Sequence, residues 1–299
     1  MQLQSGIYYM DVVNVPDGDT LEGIGRVIIT RADGQQPHVD VGRGATLKNV
    51  WIGGTRETVL EGSAHIYPYD NATLDGVTFF GFYGGVNCAP GLSQVIQNCR
   101  FVNCGTQLLY HPIYCNSYTA QAGQGVLIQD NVFVGCEGYS IHLYHSPNYC
   151  TILRNFIAAN GHGIAIEGNY NTAKYNIIWQ NYTASCAWLG QDNGTLGLTF
   201  RQNLFGYATT THWLDYPAES KVGKNYFVEG ATVFGNNPVV IARGFVDNYT
   251  GYTSVQLNQA VNNIKSSFNA PITNLLTDAS IESNFAVCKM AAMNWSANA

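Results

Sequence analysis

Three stretches of this sequence can be written one beneath another: Ile-Gln-Asp-Asn131-Val-Phe133-Val-Gly-Cys136, Leu-Arg-Asn155-Phe-Ile157-Ala-Ala-Asn160 and Lys-Tyr-Asn176-Ile-Ile178-Trp-Gln-Asn181. Each carries an asparagine and an apolar residue two places on. The register continues to Asn203 with Phe205 and Asn225 with Phe227, and upstream to Cys99 with Phe101, Val77 with Phe79 and Val50 with Ile52. The eight positions are spaced 27, 22, 32, 24, 21, 27 and 22 residues apart, and every residue two places on is Ile or Phe. A period of this size constrains the fold more than any local propensity, because one such unit cannot bury its apolar face without a neighbour.

Between register positions the sequence shows short β-branched and aromatic runs, turn residues and no helical period. Ile141-His-Leu143, Ile164-Ala-Ile166, Ala187-Trp-Leu189 and Trp213-Leu214 read as second strands of successive repeats. Alternation there sends Ile141, Leu143, Ile164 and Ile166 to one face, and His142, Tyr144, Ala165 and Glu167 to the other. The expected architecture is all-β, a parallel solenoid of about 8–10 coils. A row of asparagines in its turns bonds coil to coil through the side-chain amides. Residues 1–45 read as a lead-in with the first coils and 46–244 as the solenoid. Residues 245–299 regain helical spacing and read as a partly helical extension, serving as a cap or as an oligomer or assembly contact.

Charged residues make up only 11% of the chain, against about 25% in an average soluble domain. That suits short strands and tight turns. A net charge of −6 with 14 basic residues excludes nucleic acid as an expected partner. The same scarcity of Lys and Arg fits poorly with gripping a polyuronate. No run of 18 apolar residues occurs, so no membrane insertion is expected. The N-terminus shows no signal-peptide pattern, so an extracellular or virion-surface location implies a removed signal or another route out of the cell. The eight cysteines contain no CxxC pair, so no metal and no cofactor are expected. Cys104 and Cys136 share a repeat position, but side chains of parallel neighbours point alike, which favours buried thiols over a bridge.

The register pattern over about residues 10–244 resembles the right-handed parallel β-helix superfamily, similar to pectate lyases, polygalacturonases, NosD-type repeat proteins and phage tailspikes. The resemblance implies the fold and leaves function open. Gly161-His162-Gly163 is similar to a polygalacturonase motif, but the remainder of that signature is absent, as are the pectate-lyase Trp-x-Asp-His and Arg-x-Pro-x-x-Arg patterns. Pro37-His-Val-Asp40 only loosely resembles the Asp-Pro-His-Asp of alginate epimerases.

Aligning the second strands places Tyr67, His111, Tyr144, Glu167, Gln191 or Asp192, and Asp215 in one outward row. With coils about 4.8 Å apart, Glu167 stands about 5 Å from Asp192 and about 10 Å from Asp215, spacings of the kind used by glycoside hydrolases. The long interval between Cys99 and Asn131 suggests an excursion over residues 112–124, with Tyr114 and Tyr118 near its tip and over the row. His142 and Tyr144 complete the binding candidates. Two functions follow. The first is a surface or virion-type β-helix, structural or glycan-binding, whose partner is a polysaccharide or surface glycan. The second is a polysaccharide hydrolase or lyase using Glu167, Asp192 and Asp215.

Overall fold

A computed structural model describes residues 1–54, 65–89, 91–105, 110–116, 119–179, 187–190, 195–206, 221–228 and 238–299. Its strands form two sheets of 19 and 8 strands, with parallel pairing throughout. A representative coil runs from Leu127–Gln129 through a bend to Val132–Val134, then crosses to Tyr139–Leu143 in the smaller sheet. The bend comes from one residue in the left-handed region, immediately before the register position. Asn49, Gly76, Asn98, Asp130, Arg154, Tyr175 and Gln202 all sit there, with φ between 51° and 67°. Asn, Asp and Gly adopt that conformation cheaply, whereas Arg154 does not. Its guanidinium is held instead by two bonds to the Asp130 carboxylate one coil earlier, at 2.7 and 2.8 Å.

The register read from sequence is the register of the structure. Ile52, Phe79, Phe101, Phe133, Ile157, Ile178, Phe205 and Phe227 pair in succession and point into the solenoid. Phe101 stacks on Phe133 at 4.7 Å between ring centroids, and Phe205 on Phe227 at 4.9 Å. Beside this column runs the asparagine ladder. Asn131 Nδ2 donates to Asn155 Oδ1 at 3.0 Å, Asn155 to Asn176 and Asn176 to Asn203 at 2.9 Å, and Asn203 to Asn225 at 3.1 Å. Each Oδ1 also accepts the backbone N–H of the preceding rung, and each Nδ2 donates to a backbone carbonyl. Burying amides that are this fully bonded carries little penalty, but removing one rung orphans the groups of its neighbours.

The excursion expected over 112–124 begins differently. Ile113–Cys115 is a strand of the smaller sheet, paired with Val86–Asn87 and with Ile141–Leu143. Ile113 and Cys115 alternate into the core, which keeps Tyr114 on the sheet and away from any loop tip. Tyr118 lies outside the described residues. Every described cysteine is a buried thiol outside any disulfide, Cys186 not being among the described residues. Cys104 and Cys136 each donate Sγ to a backbone carbonyl of the preceding coil, at 3.4 Å, rather than bonding to each other.

The described coils from Val12 to Leu189 present three outward faces. Short strands such as Thr46–Lys48, Thr73–Asp75 and Thr172–Lys174 show a polar, half-exposed one. The adjoining strands, Val132–Val134, Phe156–Ala158 and Ile177–Trp179 among them, are buried on both sides. Their outer side packs against four C-terminal helices: α1 (Arg243–Thr250), α2 (Ser254–Phe268), α3 (Ile272–Leu275) and α4 (Ser280–Asn298). A capping box between Thr253 and Gln256 starts α2, and Gly251 in the left-handed region ends α1. Residues 245–299 therefore lie along the solenoid's flank. Arg100 makes a two-pronged bond to Glu282, at 2.9 and 2.6 Å, and Trp295 Nε1 donates to Gln202 O at 2.9 Å. Those contacts are four coils apart, about 19 Å, and 13 helical residues rise about 20 Å. The axis of α4 thus follows the axis of the solenoid.

Candidate functional site

The third face is the outer side of the smaller sheet, built by Val12–Val15, His38–Val41, Ile66–Pro68, Val86–Asn87, Ile113–Cys115, Tyr139–Leu143, His162–Ile166 and Ala187–Leu189. Alternation works as the sequence suggests: Ile141, Leu143, Ile164 and Ile166 enter the core, and the intervening residues face away from it. Pairing places Asp40, Tyr67, Asn87, Tyr114, His142, Ala165 and Trp188 in one outward column. These eight strands contain a single carboxylate, Asp40, and neither Lys nor Arg. Six of the chain's seven histidines (38, 65, 111, 142, 145 and 162) lie on these strands or within two residues of them. The seventh, His212, lies outside the described residues.

The single row expected from the sequence divides into two columns. Tyr67 shares the column of Tyr114 and His142. The pairing of Leu143 with Ile166 puts Tyr144 beside Glu167 in a neighbouring column, two residues out of phase. His111 precedes its strand by two residues and belongs to neither. Glu167 is not on an open surface but buried, at 1% exposure. Its N–H donates to Leu143 O and its carbonyl accepts from Asn171 Nδ2. Asp192 and Asp215, the other two members of the carboxylate row, lie outside the described residues. Arg154 sits on the opposite sheet, away from this face, as its place beside the asparagine ladder implies.

At mid-sheet the rings converge. His142 meets His111 edge-on at 4.1 Å, stacks on Tyr139 and Tyr144 at 5.0 Å each, and lies 5.8 Å from Tyr114. Tyr139 also stacks on His162 at 4.6 Å and touches Trp188 at 5.8 Å. Its backbone N–H donates to His111 Nδ1 at 3.0 Å. Further along, His38 and His65 flank Tyr67 at 5.5 and 5.7 Å. Burial, reinforced by His162, pushes His111 down to about 4. Burial, then His111, His145 and His162, push His142 down to about 2. Both imidazoles are therefore neutral at physiological pH and offer donors and acceptors rather than charge. Burial, followed by Cys115 and Glu167, raises the Tyr114 phenol, which stays protonated.

Such a face provides flat apolar rings with polar edges, and its described strands hold no Lys or Arg to neutralise a carboxylate or sulfate. Among the described residues no group of three or more His, Cys, Asp or Glu side chains is placed to hold a metal ion. Tyr139 and Trp188 belong to the cluster but were not among the sequence candidates, and His162 was singled out only through the Gly161-His162-Gly163 motif. The signal for Trp188 was present, since its outward place follows from the same second-strand alternation, whereas Tyr139 shares the parity of Ile141 and Leu143, which alternation alone assigns to the core.

A family model for the right-handed β-helix region matches residues 38–205. No curated protein matches the chain.

Proposed function

The chain belongs to the right-handed β-helix family, and on that premise we propose that it is a glycan-binding β-helix whose tyrosine- and histidine-lined sheet face holds an uncharged polysaccharide or surface glycan. The observation that carries this reading is the concentration of half-buried aromatic rings on a face whose strands hold no Lys or Arg. Sugar C–H faces pack on such rings while hydroxyls bond their polar edges. The role is that of a surface or particle-borne protein, adhesin- or tailspike-like. Val255, Met290 and Met293, exposed on the helical layer, are available for an oligomer or assembly contact.

The test is binding to a panel of neutral oligosaccharides by the wild type, Tyr114→Ala and Tyr144→Ala, with reducing-end release followed in parallel. Saturable binding weakened in both variants, without turnover, is the expected result. Absence of binding to every glycan removes the reading. Glu167 favours the second reading, a hydrolase or lyase, because a carboxyl group is buried at the edge of this face. Turnover that disappears in Glu167→Gln would establish that enzyme and displace the binding role.

A further inference from the structure

The outward column of the smaller sheet contains a gap. The coil of residues 162–167 places Gly163 and Ala165 on the outer side, the smallest residues available, between the large rings of His142 on one side and Trp188 on the other. Ala165 is nonetheless only 2% exposed. Rings from the flanking coils account for this cover. The Trp188 indole reaches Tyr139 at 5.8 Å, although their strands are two coils, about 10 Å, apart. Trp188 therefore leans back across the Ala165 coil. The same arrangement leaves three polar atoms buried without a hydrogen bond: Nδ1 and Nε2 of His142, a residue only 7% exposed, and Nε1 of Trp188.

Unmet polar atoms at such density require an explanation. The asparagine ladder of the same coils satisfies its buried amides rung by rung. Resting on the carbohydrate reading above, we propose that Trp188 is a side-chain lid over a single-sugar subsite floored by Gly163 and Ala165, in which the hydroxyls of a neutral sugar ring become the partners of His142 and Trp188. A neutral imidazole presents one donor and one acceptor, and an indole presents one donor. Neighbouring sugar hydroxyls, each both donor and acceptor, answer all three atoms at once. The ring's C–H face packs on Tyr139 and Trp188, the place now filled by the contact of those two rings. Pairing of Ala165 with Trp188 fixes the lid's backbone, so opening is a rotation of the indole.

Two substitutions separate this subsite from the wider face. His142→Phe keeps the ring and removes both unmet nitrogens. Trp188→Phe keeps an aromatic lid and removes its donor. Calorimetric titration of the full-length chain with neutral gluco-, manno-, xylo- and galacto-oligosaccharides, accompanied by thermal melts, reads both. The expected result is that His142→Phe melts above wild type yet binds at least tenfold more weakly, and that Trp188→Phe loses affinity severalfold. Binding should also change tryptophan fluorescence in the wild type and not in Trp188→Phe. If both variants bind as tightly as wild type while Tyr114→Ala does not, the subsite is wrong and the glycan-binding face stands. If no oligosaccharide binds the wild type, face and subsite fall together.

Discussion

Two outward faces of the same coils met different fates. On the flank, Trp51, Phe80, Val102, Val134, Phe156 and Trp179 project from the strands and are sealed by α1–α4 of the same chain. On the smaller sheet, Tyr67, Tyr114, His142 and Trp188 project at the same coil spacing, and Tyr67, Tyr114 and Trp188 keep part of their surface in solvent. Backbone geometry does not distinguish them, since both are ladders of short parallel strands. Side-chain chemistry does. A contiguous aliphatic and aromatic surface such as the flank's is covered by the chain's own helices, whereas the tyrosine and histidine rings of the smaller sheet carry polar edges that tolerate water. The flank is a folding surface, and the sheet face is the one to which the glycan-binding proposal assigns recognition.

That contrast yields effects of graded size. Trp179→Ala opens a cavity between sheet and helices and orphans Asn258 Oδ1, its bonding partner at 2.8 Å. A loss of about 3–5 kcal/mol in denaturant unfolding is expected. Asn155→Ala removes the amide that accepts from Asn131 N and Nδ2 and that donates to Ile128 O. The expected cost is about 3 kcal/mol, and hydrogen exchange should accelerate first in the coils of Asn131 and Asn155. Acidification comes next. His111 and His142 titrate in the folded protein at about 4 and about 2, below the ordinary value of about 6.5. The unfolded chain therefore binds more protons between those values. The neutral-imidazole contribution is complete above about pH 6.5 and is lost as pH falls, at about 1–3 kcal/mol per pH unit while both titrate; His111's share is lost by about 4 and His142's continues to be lost down to about 2. His142→Phe should flatten the slope of unfolding free energy against pH over that range. Smallest is Tyr67→Ala, half-buried at the open face, expected to shift unfolding by less than about 1 kcal/mol while weakening glycan binding. A large stability loss at Tyr67 would erase the distinction between the two faces.

The asparagine and Ile/Phe columns made the fold legible in the sequence, because their side chains must meet in register once the coils stack. The helix-covered flank was legible in principle. Val132-Phe-Val, Phe156-Ile-Ala and Ile177-Ile-Trp are apolar at three consecutive positions, the pattern of a strand buried on both sides, and α4 repeats apolar residues at Ile281, Phe285, Cys288 and Trp295. What the sequence lacked was a reason to pair the two. The phase of the smaller sheet was harder to read. Its strands are two to five residues long and follow connections of unequal length, so Tyr67 and Glu167 fell into one row although they differ by two residues. The burial of Glu167 depends on neighbouring coils, which no local pattern records.

The run of α4 along the solenoid has a consequence for how such a chain can change in length. A coil advances about 4.8 Å, which a helix covers in about 3.2 residues. The helix therefore works as a ruler against which the coils are counted. Duplicating one coil between Arg100 and Gln202 would separate those anchors by one further spacing while Glu282 and Trp295 remained where they are. The added coil would also present an apolar flank with no helix above it. Repeat number in this protein is thus tied to tail length, and a viable expansion must lengthen α4 by about one turn in the same step.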